Sequence, residues 1–186
     1  MLALSKSVEW IIQNKQLHNI RIVCMSFGFD ESPMSENLVL EQLINKLLNN
    51  QIIVVSSAGN NGNNNGEITL PGRYSNVLAV GSINYDPRDD STIFDSKISN
   101  FSSTKVFGEN SNKPDIYAPG EHIITTSALK KRGYTVVSGT SFSAAIVTGQ
   151  ISIMMQKYPN KNNEEILSTM KKNLRNKIFY LNSTQK

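Results

Sequence analysis

This chain has few of the residues on which covalent and acid–base chemistry usually rests. Its 186 residues include one cysteine, Cys24, and two histidines, His18 and His122. A single cysteine excludes an internal disulfide, so no covalent staple holds the fold. Cys24 lies inside the apolar run IRIVCMSF, where a buried and inert thiol is expected. No apolar stretch approaches the about 20 residues that a membrane-spanning helix needs, so no membrane span is expected. The opening MLALSKSVEW lacks the basic start, continuous apolar segment and small-residue cleavage site of a secretory signal. Charge of one sign is scarce as well, with 19 Lys and Arg against 15 Asp and Glu, a formal net charge of +4. The excess gathers in the terminal MKKNLRNKIFYLNSTQK and forms no basic face interleaved with aromatics. It reads as a solvated end, with no nucleic acid among the expected partners. At 39% hydrophobic residues, the length suits one domain with its own core and is short for two.

What is present is a regular alternation. Leu4, Val8, Ile11 and Ile12 recur at helical spacing and predict an amphipathic helix ending near Asn14. IRIVCMSF then reads as a strand buried on both faces. Ser35 and Glu36 open a second helix whose Leu40, Leu43, Ile44, Leu47 and Leu48 form one stripe. QIIVVSSA is a second buried strand, GNNGNNNGE a loop by composition, and NVLAVGSIN a third strand. A polar irregular stretch runs through Asp95, followed by short strands around DIYA, HIITTS and YTVVSG. A long helix is expected from Ser141 to about Tyr158, stopped by Pro159, and another from about Asn162 to Asn173. Parallel neighbours need crossover connections, so helix–strand alternation implies an α/β fold, a mainly parallel sheet with helices on its faces.

In such sheets ligands bind at the carboxyl ends of the strands. Three loops leave strands there: SFGF, SAGNNG and the SGTS that precedes the long helix. Ser141 then stands at a strand-to-helix junction. Its hydroxyl either caps the helix or attacks a carbonyl whose developing oxyanion the helix N-terminus favours. Asn60, in a glycine-flanked loop, is either a turn residue or a side-chain donor to that oxyanion.

In chain order, CMSFG, VVSSAGNNG, LPGRYSNVLAVGSI, NFSS, KPDIYAPGEHI and VSGTSFSAA resemble the subtilisin-like serine proteases (peptidase S8 type), from about Leu4 to Asn173. The resemblance implies a three-layer α/β/α fold. It makes Ser141 the nucleophile and Asn60 the oxyanion donor. Ser26, Phe27 and Gly28 become the segment that pairs with extended substrate by strand addition. Ser57, Ala58 and Gly59 become a wall of the pocket for the side chain preceding the cut. Asn61 occupies a neighbouring position that tunes charge preference and, being neutral, gives no electrostatic ground for basic side chains. It implies peptide or protein substrates, export or the cell envelope as compartment, and calcium as a family ligand, although no clustered carboxylates here make a convincing site and no other cofactor is expected. Family members usually carry proline four residues after the nucleophile; Ala145 stands there, and a helix tolerates it.

The family's serine is deprotonated by a histidine held by an aspartate, in the chain order Asp, His, Ser. Neither partner matches a residue here. His18 falls in a turn, His122 on a family strand without a catalytic role, and Asp115 at a structural position in KPDIYAPG. No lysine is brought to Ser141 to serve instead. Residues 1–175 are therefore expected to be a subtilisin-like catalytic domain lacking its N-terminal strands, and 176–186 a basic polar tail. Without those strands IRIVCMSF becomes an exposed edge. The expectation is the back two-thirds of an endopeptidase, inactive unless a further segment supplies Asp and His. A non-catalytic peptide-binding remnant, and an unrelated α/β domain holding an anion at the Ser141 helix mouth, stand as alternatives.

Overall fold

The computed structural model describes residues 1–30, 33–64, 66–86, 88, 93–106, 112–128, 133–175 and 177–178. Four helices and a mainly parallel sheet form three layers. In chain order they are α1 (Leu2–Asn14), β1 (Ile22–Met25), α2 (Met34–Asn49), β2 (Ile53–Ser57), β3 (Leu78–Asn84), a short 3₁₀ turn (Ile93–Asp95), β4 (Lys97–Ile98), β5 (Ile116–Pro119), β6 (Ile123–Thr126), β7 (Tyr134–Val137), α3 (Thr140–Lys157) and α4 (Asn163–Lys172).

Strands β1, β2, β3 and β5 run parallel, in register at Cys24 with Val55, Ser56 with Ala79, and Gly81 with Tyr117. Their order in the sheet is β1–β2–β3–β5, with the short β4 antiparallel to the end of β3. Strand β2 shows why the run Ile52–Val55 is apolar without alternation. Ile53 and Val55 face a core with Ala144, Val147, Ile151 and Met154 of α3 and Ile166 and Met170 of α4. Val54, and Ile52 just before the strand, face Val8 of α1 and Leu40, Leu43, Ile44 and Leu47 of α2. A strand covered on both faces has no polar side to alternate with.

Strand β1 departs from that expectation. Ile22 and Val23 are half-buried, Cys24 is exposed and Met25 alone is buried. The expected buried thiol is thus corrected. The reason is position: among the described residues β1 pairs only with β2, so its other edge is open. The tail expectation also needs adjustment at its start. Ile178 is 3% exposed, and Tyr117 donates its backbone N–H to Lys177 O at 2.8 Å, so the packed chain runs past residue 175. Residues 176 and 179–186 lie outside the described residues.

One side-chain device ties the entry of β5 to β3, and another ties it to the chain after α4. Asp115 accepts from Ala79 N at 2.8 Å and from the buried Lys113 ammonium at 2.6 Å, bearing out its structural role. Lys177 donates to Pro114 O at 3.0 Å, and burial lowers the pKa of its ammonium.

Candidate active site

The long helix α3 begins at Thr140, with Gly139 as the N-cap and no side-chain cap of its own. Ser141 therefore does not cap this helix. Its Oγ donates to the Ser26 carbonyl at 3.0 Å, and Ser26 Oγ donates back to the Ser141 carbonyl at 3.0 Å. The end of β1 and the mouth of α3 are clasped to each other by these two bonds.

The cap comes from a different loop. Asn60 Oδ1 accepts from Thr140 N at 3.0 Å and from Thr140 Oγ1 at 3.0 Å. A backbone N–H can only donate, so the atom facing it is the carboxamide oxygen and the NH₂ is the other end. That NH₂ has no hydrogen-bond partner among the described residues and lies over Gly139, where a Cβ would meet Nδ2 at 3.6 Å. Thr140 Oγ1 in turn accepts from Gly59 N at 3.2 Å. A parallel strand ending, a glycine-permitted turn (φ of +106° at Gly59) and a helix start thus converge, and they orient one amide donor beside the residue before Ser141. Because Asn60 occupies the first helical N–H, the mouth is already partly satisfied, which counts against a free anion cradle.

The remaining positions fall around this pair. Ser57 and Ala58 are buried at the end of β2, Ala58 with no exposed surface. Ser26, Phe27 and Gly28 are exposed beyond β1, and Phe27 meets Phe29 edge-to-face with centroids 5.8 Å apart. Phe29 exchanges both backbone bonds with Leu70, at 3.0 and 2.9 Å, and Thr69 N donates to Ala58 O at 2.9 Å. Segment 68–70 therefore bridges the loop after β1 and the loop after β2, a link that sequence spacing does not reveal. Asn61 is neutral, as read, but its amide donates to Asp30 Oδ1 at 3.0 Å and to Glu67 O at 3.1 Å. A carboxylate thus sits at this rim after all, supplied by a residue some thirty positions earlier that no motif marks.

No imidazole joins Ser141. His18 stacks on Trp10 with centroids 5.8 Å apart, and His122 is exposed at the start of β6 with φ of +57°. Among the described residues no three His, Cys, Asp or Glu side chains converge on a common point. No helix among them is long and apolar enough to cross a membrane.

The parallel sheet covered by helices, with loops converging at the carboxyl ends of β1 and β2, defines a three-layer α/β protein. The subtilase family model matches residues 2–185, and the chain belongs to the subtilase family. The intracellular serine protease of Paenibacillus polymyxa is 32% identical over 158 residues, 82% of this chain and 42% of that protein. Sphericase superposes with a TM-score of 0.75 at 21% identity, covering 91% of this chain and 54% of its own. S41 psychrophilic protease gives 0.73 at 19% identity, with the same coverages of 91% and 54%. The chain thus spans about half, or less, of the length of these relatives.

Proposed function

We propose that this chain carries the nucleophile and oxyanion donor of a serine endopeptidase whose Asp and His come from outside its 186 residues. Ser141 Oγ attacks the peptide carbonyl and loses its proton to the supplied imidazole. The amine departs with that proton, and water then hydrolyses the acyl-enzyme. Asn60 Nδ2 donates to the oxygen that becomes negative. The observation that supports this best is the fixed carboxamide: its oxygen is taken by Thr140, and its NH₂ has no partner among the described residues and lies beside the Ser141 helix mouth. Peptides are the substrate class, held by Ser26–Gly28 in strand addition with Ser57–Gly59 as pocket wall. Nothing in the reaction is routed through a metal.

Alone, the chain is inactive in this reading, because the Ser141 hydroxyl donates to an amide carbonyl, which cannot accept its proton. A fluorophosphonate probe tests it. The chain by itself stays unlabelled, and Ser141 labels once a subtilase front segment carrying Asp and His is supplied. Labelling of the isolated chain, or none after a front segment has bound, would sink the proposal. The clasp between Ser26 and Ser141 favours one second reading, a peptide-binding remnant without turnover. Sequencing the DNA upstream of the Met1 codon separates the two. An in-frame Asp-Thr/Ser-Gly and His-Gly-Thr-His supports the enzyme, and a stop codon with a working start supports the remnant.

A further inference from the structure

Between the two proposed walls of the substrate pocket lies a side chain that belongs to neither. Thr69 is 7% exposed, and its Oγ1 is buried without a hydrogen-bond partner among the described residues. A Cβ built on Gly28 would fall 2.1 Å from Thr69 Oγ1 and 2.7 Å from its Cβ; one built on Gly59 would fall 2.8 Å from its methyl carbon. Both backbones therefore close onto the threonine, from the strand-addition side and from the Ser57–Gly59 side. Each tolerates it only because it has no side chain of its own.

We infer that Thr69 plugs the pocket and restricts it to small side chains such as glycine, alanine or serine. This inference rests on the reading of Ser26–Gly28 and Ser57–Gly59 as pocket walls. Threonine is β-branched, so rotation about χ1 exchanges methyl and hydroxyl without vacating the space. The residue is also held in place by its backbone, through Thr69 N to Ala58 O at 2.9 Å and Arg73 N to Thr69 O at 3.2 Å. A leucine or phenylalanine side chain entering between the walls meets atoms already in contact with both. Interiors packed at this closeness do not yield a side-chain volume cheaply.

The hydroxyl is not what closes the pocket. An unpartnered buried hydroxyl is costly, and a methyl in its place fills the same volume. The plug is therefore a matter of shape, and Thr69→Val should keep it while Thr69→Gly removes it.

The test uses the whole chain and acetylated tetrapeptides, identical except for a final Ala, Leu or Phe. Binding is followed by NMR shifts of the Gly28 and Gly59 amides. The Ala peptide should bind the unmodified chain at least about tenfold more tightly than the Leu or Phe peptides, the scale on which a pocket discriminates small differences in apolar size. Thr69→Gly should abolish that preference by raising affinity for Leu and Phe, Thr69→Val should preserve it, and Thr69→Ala gives the same reading as Gly should the glycine variant not fold. Equal affinities for the three peptides in the unmodified chain overturn the plug and leave the groove standing. So does a Gly or Ala variant that keeps the preference, or a Val variant that loses it. Failure of every peptide to shift either amide overturns the groove itself, and the plug with it.

Discussion

Strands β1 and β2 are neighbours that both open on Ile-Val, yet one is core and the other is edge. In β2 all five residues, Ile53–Ser57, are buried. In β1, paired to it residue for residue, only Met25 is buried and Cys24 is exposed. The difference lies in what stands on the far side: β2 has β3, and β1 has no strand among the described residues. The candidate site straddles this boundary. Asn60 follows the finished strand and is held by two hydrogen bonds to Thr140; Ser26 follows the open one and closes on Ser141 itself. The lesson is that the half of the candidate site built on complete packing has its amide fixed by Thr140, and the half built on the open edge closes on Ser141.

The sharpest way to break this comparison is to damage each side in turn. Ile151→Ala, which empties space beneath Val55 and Val80, should destabilise the chain by about 2–5 kcal/mol in urea unfolding. Asp115→Ala, which leaves the Lys113 ammonium, 9% exposed, with the Val77 carbonyl but without its carboxylate, should cost about 3 kcal/mol. Asn60→Ala removes a cap supplied from outside the helix and should cost about 1 kcal/mol. Cys24→Ser, on the exposed edge, should change stability by no more than about 0.5 kcal/mol. A loss at Cys24 comparable to that at Ile151 would erase the distinction between finished and open strands. The same cysteine sharpens it: its thiol should react with a maleimide in the folded chain, and any segment that pairs along β1 should slow that reaction.

Much of the fold was legible in the sequence because helix and strand periods are local. The stripe Leu40, Leu43, Ile44 and Leu47 and the small-residue helix after Gly139 lie where their spacing puts them, with α2 starting at Met34 and α3 at Thr140. The parallel sheet with helices on its faces followed from the alternation of those elements, and its three-layer form from the family resemblance. The site was legible as a set of loops at strand ends, but its wiring was not. That Asn60 caps α3, that Asp30 reaches Asn61, and that Thr69 stands between Gly28 and Gly59 are meetings of residues from 10 to 80 positions apart. The two-residue β4 carries too little pattern to announce itself, and Ile178 looked like part of a solvated end until β5 was seen beside it.

The sequence by itself determined which segments are helices and strands, that the sheet is parallel and layered, and which loops gather at its carboxyl end. Hydrophobic period and turn chemistry act within a few residues and need no partner to be read. Only the tertiary structure decided which strand is left open, which way the Asn60 carboxamide faces, and what fills the space between the two glycines. Those outcomes depend on neighbours across the sheet, and burial and hydrogen bonding are properties of the pair in contact, not of either residue alone.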